Sequence, residues 1–325
     1  MKERDAESAV MKGKNMPIAY LEPLGRAWER MKQALFRPFD LHKWFVVGFN
    51  AFLAGLADGQ NGGGGSRGGR DASFREFLDF PGRAWEWLNQ HPGWFAAIVA
   101  IGAAVLVVGI VLLWLSSRGK FMFLDNVVHN RAEIAKPWRE YRREGDSLFL
   151  WRLVFSLVVI AFFVAFAVFF FATARELYEE SPGHHLPVSY FVGLGLLFLA
   201  LIIVTGFIAL FLDSFVVPLM YKERVAAGQG WRRFLALLGQ HPFAFVLYGC
   251  LMLGLILLFV AAVVVAGIVT CCIGWVLLVI PYIGTVVTLP VWYTFRAFSL
   301  EFLGQFGPEY GLTPPPAAQP EAQAP

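Results

Sequence analysis

Five stretches of the chain run for at least 22 residues without a single Asp, Glu, Lys, Arg or His: Trp94–Leu115, Leu153–Ala174, Val188–Leu212, Phe243–Ile268 and Gly274–Phe295. A hydrocarbon core about 30 Å thick needs about 20 helical residues at a rise of 1.5 Å each, so every stretch is long enough to cross. Helix is the form that suits them. A strand would leave its peptide groups unpaired in lipid, and none of the stretches alternates polar with apolar residues as a barrel strand does. Composition closes off the alternatives. Hydrophobic residues make up 57% of the chain and charged ones 16%, against roughly a quarter charged in soluble domains. That excludes a soluble globular enzyme and a disordered chain. Three cysteines in 325 residues are too few for a disulfide-stapled secreted module.

A sixth run, Trp44–Ala57, has only 14 residues, a length more typical of re-entrant or interfacial segments. The basic residues favour a crossing. If the short run crosses, 22 of the 27 Lys and Arg fall on one side and 5 on the other; if it does not, the split is 14 to 13. The positive-inside rule expects a bias, and only six crossings produce one. His42 and Lys43 can snorkel at the inner end and lengthen the short span. The expected fold is all-α: a polytopic transmembrane helical bundle of about six spans, near 44–57, 94–115, 153–174, 188–212, 243–268 and 274–295, with both termini cytoplasmic. Trp44, Trp94, Trp114, Trp151, Trp275 and Trp292 stand near run ends, where indole rings collect at membrane interfaces. Residues 1–20 are polar and of mixed charge, without an apolar signal core, so internal helices are expected to drive insertion. This pattern fits a bacterial cytoplasmic membrane.

The membrane domain, 44–305, is expected to carry short amphipathic helices on its cytoplasmic side. In the N-terminal segment, 1–43, Leu24, Trp28, Met31 and Leu35 form an apolar stripe between Arg26, Arg30, Lys32 and Arg37. A second helix begins at Pro137, a favourable first position, and carries Trp138, Arg139, Arg142 and Arg143 to a terminating Gly145. The third runs from Trp231, Arg232 and Arg233 to Gly239. The linker 58–70 holds seven glycines. It lacks the Gly-x-x-x-x-Gly-Lys-Ser/Thr phosphate loop and reads as a flexible extracytoplasmic tether. The segment 306–325, with five prolines after Thr313, is expected to be disordered.

Short matches point to an internal repeat. Gly25-Arg-Ala-Trp-Glu returns at Gly82, and Gln90-His-Pro returns at Gln240. Phe123-Leu-Asp-Asn and Phe211-Leu-Asp-Ser each end a span; a polar stretch, Trp-Arg, and then Gly145 or Gly239 follow before the next span. Units that start from one side are parallel repeats. Asp125 and Asp213 thus occupy matching turns. A carboxylate at a helix C-terminus faces the negative end of the dipole. Each is therefore expected to cap the following surface helix or to pair with nearby Arg and Lys, clamping the turn. A ligand-binding or lipid-headgroup role is the alternative.

Catalytic chemistry is thin. Glu176, Glu179, Glu180, His184 and His185 share one external loop, but their spacing matches no helical ligand pair and Ser181-Pro-Gly breaks any common face. Cys271-Cys272 in the last turn and Cys250 within a span read as packing residues. No ionisable residue interrupts the runs, which argues against a proton pump or ion-coupled transporter. Pro281 and Pro290 should kink the last span. No catalytic, cofactor-binding or metal-ligating residue is assigned.

Leu35-Phe-Arg-Pro-Phe-Asp-Leu-His-Lys-Trp-Phe-Val-Val-Gly-Phe, the short span, the Gly-rich tether and the Phe-Leu-Asp, Gly and Trp turns resemble uncharacterised bacterial multi-pass proteins. These are similar to the membrane domain that accompanies some glycerophosphodiester phosphodiesterases. The resemblance runs roughly from residue 20 to 305 and implies a membrane bundle without hydrolase activity. A (β/α)8 barrel takes about 250 residues, and the longest polar segment here is the 43 residues before Trp44. The expected function is a non-enzymatic membrane protein that binds membrane lipids with anionic headgroups, a second copy of itself or another membrane protein. Nucleic acid is not an expected partner. The residues expected to carry this are Asp125, Asp213, Trp138, Arg139, Arg142, Arg143, Trp231, Arg232 and Arg233. A passive transporter or channel, and a membrane enzyme acting on lipid headgroups, are the alternatives.

Overall fold

The computed structural model describes residues 18–37, 39–57, 79–180, 188–270, 278 and 280–312; among these every regular element is helical. In chain order they are α1 (Leu21–Phe36), α2 (Leu41–Gly55), α3 (Phe80–Gln90), α4 (Pro92–His129), α5 (Ala135–Glu140) and α6 (Arg142–Glu180). Next come α7 (Val188–Phe211), a π-helical turn (Leu212–Val216), α8 (Val217–Glu223), α9 (Ala227–Gln240), α10 (Pro242–Val269) and α11 (Pro281–Leu303), with a 3-10 turn at Gly304–Phe306.

Four rods are long and apolar enough to cross a membrane: Pro92–His129, Arg142–Leu177, Val188–Glu223 and Pro242–Val269. In three of them no residue of the most apolar window is buried. Apolar surface of that extent is what a chain offers to hydrocarbon rather than to water. On α4 the bare stretch Pro92–Val111 measures about 30 Å at 1.5 Å per residue, the thickness of a bilayer core. The rest of α4, Ser116–Val128, is buried. There it joins the ends of the other rods, α1, α2, α9 and α11 in a compact base. Phe215, Phe234, Phe245, Tyr248, Phe298 and Phe302 form the aromatic centre of that base.

The expected runs 94–115, 153–174, 188–212 and 243–268 fall within these rods or, at Leu212, in the π-turn that continues one. The run 44–57 behaves differently. Its helix starts earlier, at Leu41, because Asp40 accepts from His42 N at 2.8 Å and Lys43 N at 3.4 Å. α2 then wedges between α4 and α11 with Val47, Asn50, Ala51 and Leu53 buried. Its 15 residues cover protein instead of lipid, so it does not need the length of a free-standing span. For the run 274–295, residues 274–277 and 279 lie outside the described residues. Pro281 opens α11 and does not kink it, Pro290 lies inside, and the helix continues to Leu303 because Phe298, Leu300, Phe302 and Leu303 are buried. The linker 58–70, His184, His185, Cys271-Cys272 and residues 313–325 also lie outside the described residues.

Two surface-helix expectations need correcting. α1 packs on protein through Ala27, Met31, Ala34 and Leu35, and Arg26 and Arg30 pair with Glu301 of α11 at 3.1 and 2.8 Å. Its basic face is engaged, while Leu21 and Trp28 stay exposed. The helix expected from Pro137 to Gly145 is instead split: α5 ends at Glu140, and Gly145 lies in the first turns of α6. A Cβ on Gly145 would come within 2.9 Å of Arg118 Cγ, so glycine here permits α6 to touch α4 and does not end a helix. Gly119 does the same for α2, where a Cβ would lie 2.7 Å from the Leu53 and Ala54 backbone. The Trp231–Gly239 helix forms and is longer, as α9.

Candidate functional site

Burying a charge is costly unless it is paired and hydrogen-bonded, and the base does this for several. Arg118 donates to Asp146 through Nε at 3.1 Å and Nη2 at 2.7 Å, with its guanidinium 4.4 Å from the Trp114 ring and 5.0 Å from that of Trp138. Arg152 Nη1 donates to Ser116 Oγ at 3.0 Å and Ser117 Oγ at 3.3 Å, and Ser116 Oγ donates to Ala54 O at 2.7 Å. α2, α4 and α6 are tied together at this level. Further round, Tyr141 stacks on Tyr221 at 4.6 Å, and Arg224 lies 3.8 Å over the Tyr141 ring while pairing with Glu140. Burial pushes the Tyr141 phenol above its ordinary pKa.

The two aspartates that the sequence places at matching turns take different roles. Asp125 is fully buried. Its Oδ2 accepts from Arg131 Nε at 3.1 Å and Nη2 at 2.7 Å, and its Oδ1 from the Tyr221 hydroxyl at 2.8 Å. Arg131 follows the left-handed Asn130 that ends α4, so Asp125 holds the exit of that helix and joins it to α8. It pairs with arginine and does not cap α5.

Asp213 lies inside the π-turn. Pro218 has no N–H and cannot continue the α-helical ladder back to Ser214. One residue earlier, Val217 N–H reaches back five residues to Leu212 O, which leaves the Asp213 carbonyl free of the helix. Arg296 Nη1 takes it at 2.5 Å. The Asp213 side chain accepts from Lys120 Nζ at 2.5 Å through Oδ2, whereas Oδ1 is buried without a hydrogen-bond partner among the described residues. These groups line a cavity of about 150 Å³ between α2, α4, the π-turn, α10 and α11. Ser214 and Ser299 add hydroxyls, and Leu210, Ile256, Trp292 and Phe295 form its apolar wall.

Of the remaining expected residues, Arg139, Arg142, Arg143, Arg232 and Arg233 are exposed on the base. Arg142 reaches Asp146 at 4.0 Å and Arg233 reaches Glu223 at 3.4 Å. Trp138 packs on Trp114 and Arg118, and Trp231 stacks on Trp151 at 5.2 Å. Both indoles are thus half-buried against protein. Lys120 and Arg296 were not foreseen. The readable signal was a basic residue followed at once by further apolar residues: Lys120 before Phe121–Leu124, and Arg296 before Ala297 and Phe298 in α11. Among the described residues no group of three His, Cys, Asp or Glu could hold a metal ion.

No curated protein and no solved structure matches the chain. Nothing in these comparisons links it to the phosphodiesterase-associated membrane domain. One family profile does match, over residues 19–289. That is most of the chain, and the protein belongs to DUF7544, a family of unknown function.

Proposed function

We propose that the protein is a non-enzymatic, multi-pass protein of a bacterial cytoplasmic membrane that gathers anionic phospholipid at its basic end. The observation that carries this reading is the placement of Arg139, Arg142, Arg143, Arg232 and Arg233, all exposed, on the base beneath four apolar rods. Each basic residue near an anionic leaflet contributes about 1 kcal/mol.

Contacts within the base support six crossings. Lys43 Nζ donates to Asn130 Oδ1 at 2.9 Å, Ala19 N to Gln305 Oε1 at 2.9 Å, and Lys222 Nζ to Glu309 O at 2.6 Å. The N-terminal helix, the α4–α5 connection and the C-terminal segment therefore meet, while Pro92 lies at the far end of a 38-residue helix. On this reading the chain crosses once between Lys43 and Pro92 and once more between Val269 and Gln305. α2 and α11 are the helices available for those passages, and the positive-inside rule assigns the base to the cytoplasm.

The lipid reading is tested by extracting the protein in native nanodiscs and weighing the lipids that come with it. Phosphatidylglycerol should be enriched over the bulk membrane, and the enrichment should fall when Arg142, Arg143, Arg232 and Arg233 are changed to Ala. A shell of bulk composition overturns the reading. Cysteine labelling should find Ser66 and Glu133 in opposite compartments; the same compartment overturns the layout.

A further inference from the structure

At the end of α4 farthest from the base, α3 meets it in a sharp elbow. Pro92 has no N–H with which to continue α3, and His91 before it adopts φ −125° and ψ 73°. The residues of α3 segregate by face. At about 100° per residue, Phe80, Pro81, Ala84, Trp85, Trp87 and Leu88 share one arc, and Gly82, Arg83, Glu86, Asn89 and Gln90 fill the opposite one. Such a helix in a globular protein lays its apolar arc on a core. α3 buries no residue: Phe80 is 64% exposed, Trp85 59% and Trp87 44%.

Three observations say what covers that arc. The first is depth. The bare stretch of α4, Pro92–Val111, starts directly after the elbow and is as long as a bilayer core is thick. With α4 across the membrane, α3 reaches the surface opposite the base. The second is continuity. Trp87 packs on Trp94 at 6.4 Å and Trp85 on Phe95 at 6.5 Å, and Trp94 and Phe95 are themselves exposed. The aromatic arc of α3 therefore runs round the elbow into the bare surface of α4. The third is residue type. Trp85, Trp87 and Trp94 fall within the elbow, and indole rings, apolar with one polar edge, collect at the membrane–water boundary. Charge separates this end from the basic one. Asp79 and Glu86 outnumber Arg83 across residues 79–90, so anionic lipid gains no hold here.

We propose that α3 is a membrane-surface helix of the extracytoplasmic leaflet, its aromatic arc inserted among lipid headgroups of any charge, and that it anchors the outer tip of the bare α4 arm. The proposal rests on the reading that α4 crosses the bilayer, and adds a second lipid contact, on the other face and of different chemistry.

The test uses the full-length protein in phosphatidylcholine proteoliposomes, with Cys250, Cys271 and Cys272 changed to Ser. A nitroxide is placed by Ala84→Cys on the apolar arc, Glu86→Cys on the polar arc or Val105→Cys midway along the bare part of α4. Collisions with oxygen, which concentrates in hydrocarbon, are compared with collisions with a water-soluble nickel chelate. The label at position 84 should lie about 5–10 Å below the headgroup boundary, the label at 86 should be open to the chelate, and the label at 105 should be deepest. Added phosphatidylglycerol or salt should leave these depths unchanged; a depth that follows either one overturns the proposal. Equal chelate access at 84 and 86 also overturns it. So does shielding of position 84 from both agents, which would mean that protein, such as a second copy of the chain, covers the arc. Because α3 buries no residue, Ala84→Cys and Glu86→Cys should leave the melting temperature of the detergent-solubilised protein unchanged. A label at 105 in hydrocarbon with one at 84 in water means that only the α3 proposal fails; a label at 105 open to the chelate means that the crossing itself fails.

Discussion

Asp125 and Asp213 both follow Phe-Leu, and both stand near the end of a long apolar rod, yet the base treats them in opposite ways. Asp125 has both oxygens occupied and no exposure. Asp213 has one oxygen on Lys120 and the other buried without a hydrogen-bond partner among the described residues. What differs is the chain that follows. Asp125 lies five residues before a left-handed exit at Asn130, close enough for the returning Arg131 to reach it. Asp213 lies eleven residues before the corresponding exit at Arg224, because the π-turn and α8 prolong the rod. A carboxylate near a tight exit is recruited to hold it shut. The same residue in a widened turn is left with capacity for something else.

The largest expected effect tests the first half of that contrast. Asp125→Ala strands the buried Tyr221 hydroxyl and leaves Arg131 only Glu133 at 3.9 Å, and breaking such a buried pair costs about 3 kcal/mol, to be read as a large fall in melting temperature of the detergent-solubilised protein. A change of a few tenths would mean that Asp125 is not a latch. Next, Gly119→Leu forces a side chain into the α2 backbone and should cost about 1–3 kcal/mol by overpacking, measured in the same way. Asp213→Ala should cost less than Asp125→Ala, about 1–2 kcal/mol, since the Asp213 side chain is a third exposed where that of Asp125 is fully buried. Equal losses at the two aspartates would erase the distinction between latch and cavity. Arg142→Ala with Arg232→Ala should change stability by no more than about 0.5 kcal/mol while lowering the anionic-lipid enrichment, which separates folding from the proposed surface.

Much of the scaffold was legible. Absence of charge between Trp94 and Leu115, and in the three runs up to Ile268, marks helices by the plain cost of burying ions in apolar surroundings, and that cost needs no tertiary knowledge. The Trp231–Gly239 pattern likewise reads as a helix. The partners of α1 were not legible, since Arg26 and Arg30 meet Glu301 some 270 residues away and amphipathic helices on protein and on lipid share one stripe. Gly145 looked like a stop signal because the sequence does not say that Arg118 lies against it. The cavity escaped for a related reason. Scanning for long uncharged runs discards Lys120 and Arg296 as boundaries, when the helices carrying them continue beyond. Pro218 was the local clue to the widened turn, and only the structure shows what the freed carbonyl does.

Gly119 and Gly145 have a mechanical consequence. With no side chain between them and their neighbours, α2, α4 and α6 meet almost backbone to backbone, and contacts that close leave no slack for sliding. The bare arm of α4 then behaves as a lever hinged on a stiff fulcrum. A change of bilayer thickness that tips the arm moves the fulcrum's neighbours with it, so the protein would answer such a change by tilting as a unit and not by bending a single rod.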